Sequence, residues 1–452
     1  MAAAVATCVS ADLGTLVTGP IASQSSSKVV PPLLAEPAVG SEIGARGGNS
    51  PVRLRVGLVG EFGVGNIGNN ASAAEVIRRI RLDFGDRVVV ELISRGAERA
   101  EQLFGVRALP MKSDEHVQDR GFARLTRQIK DAVHLLRAAG RYDVVIVPGT
   151  GLLEAEVSGG STGIMNALAV VSLAAMVTHR PLIWIGVGSG RLRTVSARFV
   201  TRVAAKGARR RSYRDSLSMT EVVGSTRQTS GDVLSRDVVF GRPINDRVEL
   251  PVATGDFVVA VGAIDLPKRA ARGLSMEATR ARYVTNLARV CDLLLEEGAH
   301  LRFVLGDEAD LAITEQVRSE IWSTADAGAR QPLVETHSFD GLERAIAGAD
   351  VVLASRYHTI LAASLVYRPV IALSHSPKDD QLMLQLRATE YCFGAFDFDP
   401  DLVVSAVKSA RIGHELISAQ FEEICTAHHD IVENDWLVVR TILEDALSRG
   451  LR

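Results

Sequence analysis

The sequence predicts an α/β protein built from two doubly wound, parallel-sheet domains, and three observations support this. Short apolar, β-branched runs alternate with helical patterns from about residue 54 onward, which is typical of parallel sheets covered by helices on both faces. The length of 452 residues exceeds what one hydrophobic core usually supports. A stretch rich in Pro, Asn and Asp at 241–254 interrupts the alternation and indicates a linker.

Composition limits the classes of function. The chain is 47% hydrophobic and 23% charged, with a net charge of −2, which argues against a general nucleic-acid binder and requires any anion site to be a local basic cluster. Four scattered cysteines without a CxxC pair favour reduced thiols over a zinc site or a disulfide framework. The apolar run at 164–177 is too short for a membrane span and is interpreted as a buried helix.

The first 50 residues differ from the rest. Ala, Ser, Gly, Pro and Val dominate them, Lys28 is their first basic residue, and Asp12 and Gly14 interrupt the apolar part. A disordered leader is therefore predicted rather than a secretory signal. The predicted division is a leader at 1–50, an N-terminal Rossmann-like domain at 51–245, a C-terminal Rossmann-like domain at 246–425 and a C-terminal helix at 426–452.

Strands and helices are predicted in order along both halves from hydrophobic periodicity and breaker residues. The predicted strands are 54–60, 87–94, 142–148, 181–187, 209–215, 230–233, 257–261, 301–305, 332–335, 349–354 and 369–374. The predicted helices are 71–82, 95–104, 121–139, 164–178, 196–206, one capped by Asp215 or Ser216, 276–297, 310–323, 339–347, 359–367, 380–387, 401–412 and a final run over 414–447. Two such halves facing a cleft form a GT-B-like architecture with a long C-terminal helix.

The loop after the first strand is rich in glycine. Gly63, Gly65 and Gly68 match G-x-G-x-x-G, so a nicotinamide-dinucleotide site has to be weighed. The match begins three residues after Gly60, and Glu91 lies inside the second strand instead of at its tip, and both features weaken that interpretation. A purely structural tight turn stays open beside it.

The stretch from Ser355 to Thr359 lies between a buried strand and a helix. Arg356 and His358 therefore sit on a strand-to-helix turn, where unpaired N–H groups attract anions. The loop after the next strand carries His375 and Lys378, and the carboxyl ends of neighbouring parallel strands are where open sheets bind ligands. The alternative is that these residues only cap and solvate their turns.

Three other charged positions also have two interpretations. Arg209-Arg210-Arg211 is interpreted as a solvated run, with steering of an anionic donor or lipid-linked acceptor as the alternative. Arg214 could bind an anion or pair with a carboxylate beside the helix cap at Asp215. Asp237 is expected only to satisfy backbone donors at a strand end.

Four stretches of the sequence are informative through their order and spacing. They are Gly60–Gly68, Pro148–Leu153, Gly186–Gly190 with Tyr213–Ser218, and Ser355–His358 with Pro369–Ser374 and Lys378. Together they resemble the polysaccharide pyruvyl transferase family over about residues 54 to 430. The chain departs from the family pattern in having Asn69-Asn70 in place of Asp-Glu, Thr150 in place of a glycine, and no arginine after the strand at 257–261.

The resemblance implies transfer of pyruvate from phosphoenolpyruvate, the co-substrate, to a sugar, usually as a cyclic ketal. No carboxylate or histidine cluster has metal-ligand spacing, so neither a metal nor a further cofactor is expected. The resemblance suggests His358 as general acid/base. Arg214 and Lys378, and more weakly Arg356, are the expected anchors for the donor's carboxylate and phosphate. The expected acceptor-side or loop residues are Gly63, Gly65, Asn66, Gly68, Gly149 and Gly151.

Two other functions remain open. One is a GT-B glycosyltransferase that uses a nucleotide sugar, and the other is a non-catalytic relative, which the Asn69-Asn70 change favours slightly. The expected partners are phosphoenolpyruvate and a sugar or lipid-linked glycan of the cell envelope or an exopolysaccharide. A cytoplasmic location is expected, with peripheral contact at the inner face of the membrane left open.

Overall fold

The structure is a computed structural model that describes residues 53–112, 122–149, 153, 164–243, 256–266, 273–321, 333–334 and 336–450. The predicted leader at 1–50 and most of the predicted linker lie outside these residues, and so does Gly151.

The N-terminal half of the described chain forms a seven-stranded sheet in the order β3-β2-β1-β4-β5-β6-β7, and the pairings between its strands are parallel. The order reverses at β1, as in a doubly wound sheet. Its strands are β1 (Leu54–Gly60), β2 (Val88–Ser94), β3 (Ala108–Pro110), β4 (Val144–Pro148), β5 (Leu182–Val187), β6 (Ala208–Tyr213) and β7 (Asp232–Leu234).

The C-terminal half repeats the arrangement as a six-stranded parallel sheet in the order β10-β9-β8-β11-β12-β13 within the described residues. Its strands are β8 (Phe257–Gly262), β9 (Ala299–Val304), β10 (Leu333–Val334), β11 (Val351–Ala354), β12 (Val370–Ser374) and β13 (Cys392–Gly394). The two Rossmann-like sheets and the long last helix confirm the predicted fold class.

Helices connect the strands and cover the faces of both sheets. They are α1 (Ile67–Phe84), α2 (Ala97–Phe104), α3 (Phe122–Ala139), α4 (Ile164–Thr178), α5 (Val195–Lys206), α6 (Ser216–Ser225), α7 (Met276–Glu296), α8 (Leu311–Glu320), α9 (Phe339–Ala347), α10 (Tyr357–Leu365), α11 (Pro377–Gln385), α12 (Pro400–Ile412) and α13 (His414–Gly450).

Side-chain alternation along β1 shows how the first sheet is buried. Val56 and Leu58 belong to the core shared with α1, α2 and the C-terminal half, whereas Val59 belongs to a separate core beneath α3, α4 and α5. Successive strand residues point to opposite faces, so one strand contributes to both cores. The layer α3–α5 thus covers the face turned away from the C-terminal half.

The helix α13 joins the two halves. Near its start, Ser418 donates to the carbonyl oxygen of Tyr367 at 2.7 Å. Further along, Trp436 Nε1 donates to Asp83 Oδ2 at 2.7 Å, and Arg210 Nε donates to Asp435 Oδ1 at 2.9 Å. The helix therefore packs on both halves, which ties the C-terminus back to the N-terminal sheet.

The interpretation of Arg209-Arg210-Arg211 as a solvated run is wrong for two of its three residues. Arg211 is buried and pairs with Asp232, and Arg210 is largely buried against Asp435. Strand β6 lies between β5 and β7, so these side chains are enclosed and need carboxylate partners.

Across the described residues, no helix combines the length and the apolar character needed to cross a bilayer.

Candidate active site

The predicted basic residues all follow strands at their carboxyl ends. Arg214 comes directly after β6, His358 lies in the first turn of α10 after β11, and Lys378 lies in the first turn of α11 after β12. The glycine loop after β1 belongs to the other half. It leads into α1, which begins at Ile67 instead of at the predicted residue 71. The earlier start arises because Asn66 caps the helix, with Oδ1 accepting from Asn69 N at 3.0 Å.

Arg214 is 2% exposed and packed on both sides of its guanidinium. Its Cζ lies 4.3 Å from the ring centroid of Tyr357. A Cβ built on Gly188 would come within 2.4 Å of the same atom, so only glycine allows this approach. Arg214 NH1 lies 3.8 Å from Asp237 Oδ2, and Nε donates to Asp215 Oδ2 at 3.4 Å. Packing and these carboxylates together position the guanidinium.

His358 lies against the glycine loop of the other half. A Cβ built on Gly68 would come within 1.9 Å of Nδ1, so the ring occupies the space that any side chain there would fill. The ring also contacts Tyr357 edge to face at 5.0 Å between centroids. Nε2 lies 4.0 Å from Asp237 Oδ2 and forms no hydrogen bond with the described residues.

Three cations act on the His358 imidazole. Burial holds the pKa of His358 well below its usual 6.5, and the charges of Arg214, Lys378 and Arg356 lower that pKa further, while Asp379 opposes them. The ring is therefore neutral near pH 7 when the site is empty. In the structure, the charges of Arg214, Lys378 and Arg356 therefore all act on His358, as the sequence predicted for a shared site.

Lys378 is partly buried beside a carboxylate that organises its turn. Asp379 is buried, and its Oδ2 accepts from the backbone N–H groups of His375 and Ser376 at 3.2 Å each. It also lies 2.9 Å from His375 Nδ1. The charge of Lys378 acts on both Asp379 and His358, so its ammonium group lies in the neighbourhood of both side chains.

Arg356 is more firmly engaged than the other cations. Nε and NH2 donate to the two oxygens of Asp310 at 2.7 Å each, in a bidentate pair. NH1 lies 3.7 Å from Asp307 Oδ2, and the side chain is 23% exposed. We call Arg356, Asp307 and Asp310 the Arg356 clasp.

The glycine loop contacts the C-terminal half next to this clasp. Asn66 Nδ2 donates to Asp307 Oδ2 at 3.0 Å, and Glu308 N donates to Gly65 O at 3.4 Å. Arg99 forms a bidentate pair with Glu308. Loop residues predicted for the acceptor side therefore also join the two halves.

The remaining predicted loop glycines have structural neighbours. Gly63 adopts a φ of +69°, and its N–H donates to Asn70 Oδ1 at 2.9 Å. Gly149 accepts a hydrogen bond from Ser72 Oγ at 2.6 Å, and a Cβ there would come within 2.8 Å of Gly186 O. Both glycines permit close backbone approach at the strand ends.

Asp237 is a site residue for which the sequence predicted only a capping role. It does accept from Val239 N at 3.1 Å through Oδ1, but its Oδ2 faces both Arg214 and His358. Burial raises the pKa of Asp237 to about 6, against the lowering effect of Arg214. In the sequence, a single aspartate after a short strand has no motif or spacing that would predict a place in the site. We call Arg214, Asp237, Tyr357, His358 and Lys378 the His358 cluster.

The sequence that forms these loops and strand ends matches the model of one protein family. The polysaccharide pyruvyl transferase model matches residues 66–377, which is more than half of the chain. The chain belongs to the polysaccharide pyruvyl transferase family. No curated protein matches it in sequence.

Solved structures of similar fold support the two-lobed architecture. An Anabaena protein, Alr3699/HepE in complex with UDP and glucose, is 13% identical with a TM-score of 0.56, covering 86% of this chain and 99% of that one. The UDP-GlcNAc 2-epimerase of Neisseria meningitidis, bound to UDP-GlcNAc, is 12% identical with a TM-score of 0.56, covering 86% and 100%. At this identity the likeness concerns the fold.

At several positions this family member lacks the residues that the family pattern predicts, and the residues present there form local hydrogen bonds. Asn70 holds the glycine loop through Gly63, and Asn69 Nδ2 donates to Glu61 O at 3.3 Å. After β8, where an arginine was expected, Asp265 N donates to Asp310 Oδ1 at 2.8 Å. These residues are part of the loop framework of the site.

Proposed function

We propose that this protein transfers pyruvate from phosphoenolpyruvate to sugar hydroxyls of a cell-envelope or exopolysaccharide glycan, forming a cyclic ketal. The observation that carries the proposal is a buried imidazole with three cations acting on it and a carboxylate 4.0 Å from its Nε2. Phosphoenolpyruvate carries a carboxylate and a phosphate, so its two anionic groups complement the cations of Arg214 and Lys378.

The donor's anionic groups are assigned to Arg214 and Lys378. A guanidinium offers two parallel N–H donors to a planar carboxylate or phosphate, and an ammonium acts as a point charge. Either assignment of the two anions fits. Arg356 is the weaker candidate for an anchor, since Asp310 already engages two of its nitrogens.

Donor binding explains how a neutral His358 becomes an acid. The negative charges of phosphoenolpyruvate offset Arg214 and Lys378, so the pKa of His358 rises and the ring gains a proton. The imidazolium then protonates C3 of the enol, which leaves a cationic centre at C2. A sugar hydroxyl attacks C2 and returns its proton to the imidazole. Asp237 stabilises the imidazolium across the 4.0 Å separation.

The remaining step releases phosphate. The bond between C2 and the phosphate oxygen breaks, and the imidazolium gives its proton to the inorganic phosphate as that group leaves. A second hydroxyl of the same sugar then adds to C2 and passes its proton to the imidazole, which restores the imidazolium. One phosphoenolpyruvate and one sugar diol thus give one ketal and one phosphate. Lys378 is the cation proposed to neutralise the departing group.

The decisive experiment is His358→Gln with phosphate release and donor binding measured together. We expect turnover to fall by about 1,000-fold or more, because loss of an acid/base group typically costs 10²–10⁴-fold, while phosphoenolpyruvate affinity changes only a few-fold. His300→Gln, at an exposed position on β9, is the matched control and should keep full activity. Near-normal turnover of His358→Gln would refute the assignment.

Ligand-induced stabilisation separates the alternatives. Phosphoenolpyruvate should raise the melting temperature, whereas a UDP-sugar and NAD should not. Stabilisation by a UDP-sugar alone would favour a glycosyltransferase. Stabilisation by phosphoenolpyruvate without phosphate release on any candidate sugar would favour a non-catalytic relative.

The location follows from the donor. Phosphoenolpyruvate is a cytoplasmic metabolite, so we propose that the protein acts in the cytoplasm on a soluble or lipid-linked sugar. Fractionation of cells that produce the protein tests this directly.

A further inference from the structure

We propose that the outward face of α5, together with the neighbouring part of α4, docks on an anionic phospholipid bilayer. The inference rests on the proposed function in one respect, because the bilayer would supply a lipid-linked acceptor for that reaction. The surface features that support it are independent of the catalytic residues.

The exposed residues of α5 lie on one stripe. Val195, Arg198, Phe199, Arg202 and Lys206 are exposed, and their spacing of three, four and seven residues places them on the same side of a helix. Val195 is 84% exposed and Phe199 57%. Two large apolar side chains therefore share this stripe with three cations. Of these, Arg198 and Arg202 also donate through Nε to the carbonyl oxygens of Leu192 and Ser225 at 2.8 Å each.

The helix α4 extends this stripe with apolar area. It packs beside α5 and contains no charged residue between Ile164 and Thr178. Leu173 and Val177, one turn apart, are both exposed. Because neighbouring helices of one layer share an outer surface, these side chains widen the apolar part of the face.

The charge of this segment is one-sided. From Ile164 to Arg214 the chain contains ten Lys or Arg residues and no Asp or Glu, in a protein whose net charge is −2. The carboxylate packed against the loop before α5 is Glu221 of α6, which accepts from Leu192 N at 2.9 Å. Five of the ten are buried or paired with carboxylates elsewhere, namely Arg180, Arg209, Arg210, Arg211 and Arg214. The other five are exposed: Arg191 and Arg193 lie in the loop before α5, and Arg198, Arg202 and Lys206 lie on α5.

This face borders the candidate active site. The loop into α5 begins at Gly188, whose backbone lies against the Arg214 guanidinium, and Val195 follows seven residues later. A chain of that length spans at most about 25 Å. A bilayer in contact with the start of α5 would therefore hold a lipid-linked sugar near the rim of the cleft.

An anionic bilayer fits this face better than a protein or a nucleic acid. Apolar side chains flanked by Arg and Lys, on a segment without Asp or Glu from Ile164 to Arg214, are typical of interfacial helices, where the apolar groups enter the headgroup region and the cations meet lipid phosphates. A protein interface would have an apolar core with its charges at the rim, whereas here Arg198 lies between Val195 and Phe199 along the stripe. Nucleic acid would give no role to Val195 and Phe199.

Vesicle co-sedimentation of the full chain tests the inference without donor or acceptor. We expect binding to phosphatidylcholine vesicles that contain phosphatidylglycerol, weaker binding to phosphatidylcholine alone, and loss at high salt. Arg191→Gln/Arg202→Gln/Lys206→Gln should weaken binding by about fivefold for each cation removed. Val195→Ser/Phe199→Ser should weaken binding even at low salt.

Matched controls remove the same kinds of side chain elsewhere. Ile412→Ser/Leu416→Ser and Arg282→Gln/Arg289→Gln/Arg440→Gln change exposed residues of the C-terminal half and should bind vesicles normally. Phosphate release with a soluble sugar should be unchanged in every variant, so failure of the docking face and failure of the proposed function give different results. Equal binding to neutral vesicles, or a face-dependent dimer in light scattering, would overturn the proposal.

Discussion

Arg214 and Arg356 were expected to share one task, yet they occupy different environments. Both follow a strand at its carboxyl end, and the charges of both act on His358. Asp310 grips Arg356 through two hydrogen bonds of 2.7 Å. Arg214 has longer contacts to its carboxylates, 3.4 Å to Asp215 and 3.8 Å to Asp237, and is fixed by Tyr357 and Gly188.

The difference indicates a division of roles between the His358 cluster and the Arg356 clasp. A bidentate pair with a fully buried carboxylate neutralises a guanidinium and stabilises the structure around it. The longer distances from Arg214 to Asp215 and Asp237 mean that each of these carboxylates attracts its guanidinium less strongly than Asp310 attracts that of Arg356. The first arrangement suits a junction between two lobes, and the second suits a substrate anchor.

The largest expected effects come from substituting Arg214 and Arg356, and they distinguish the two roles. Arg214→Met should lower turnover by about 100- to 1,000-fold through weaker donor binding, since losing one partner of a buried charged contact costs 2–5 kcal/mol. Arg356→Met should instead lower the free energy of unfolding by about 3 kcal/mol, because Asp310 would stay buried without its partner. Donor titration and chemical denaturation measure the two effects.

Arg214→Lys sharpens the comparison, since it keeps the positive charge and removes the paired N–H donors of the guanidinium. It should recover part of the donor affinity but little of the turnover. The interpretation fails if Arg356→Met loses donor binding at unchanged stability while Arg214→Met binds the donor normally.

A second, smaller effect concerns the contact between the two halves at His358. Gly68→Ala would place a methyl group 1.9 Å from Nδ1, so the ring or α1 must shift. A misplacement of about 1 Å costs about 100-fold in rate, and we expect a loss of that size. Stability should change little, because alanine favours the helix by up to about 1 kcal/mol over glycine.

Gly224→Ala provides the control, because a Cβ at this α6 position meets nothing within 4 Å. It should gain the same helical preference and keep full activity. Equal rates for the two alanine variants would show that the Gly68 contact does not position His358.

Much of the fold could be predicted because its signals are local. Buried parallel strands such as β4 and β5 are apolar runs bounded by breakers, and each lies within two residues of its predicted position. The strands β3 and β13 were missed because three residues give no period. The start of α1 was misplaced because Asn66 was not identified as its cap.

The candidate site was only partly predictable, since its decisive contacts are distant in sequence. The basic residues were found because the carboxyl ends of parallel strands converge. The pairing of Arg356 with Asp310 spans 46 residues, and Asp237 meets His358 from the other half of the chain. Neither partner shows a spacing or composition signal, so both required the structure.

The smallest expected effect on rate comes from Asp237, which connects Arg214 to His358. Asp237→Asn removes the negative charge facing Nε2, so the imidazolium loses stabilisation and turnover should fall by about tenfold at neutral pH. The wild-type rate should also decline as pH falls through about 6, where this carboxyl gains its proton. That decline should be absent from the variant in a pH–rate profile.

Stability gives an independent measurement of the same group. Burial raises the pKa of Asp237 from 3.8 to about 6, so the folded state holds a proton that the unfolded state releases over this range. The carboxyl's contribution to stability is therefore greatest below pH 3.8 and is lost as pH rises through 6, by on the order of 2–3 kcal/mol. The unfolding free energy of Asp237→Asn relative to wild type should rise by that amount between pH 4 and pH 7. A difference independent of pH would mean that the carboxyl is ionised throughout, and Asp237 would then act on His358 as a fixed charge and not as a titrating one.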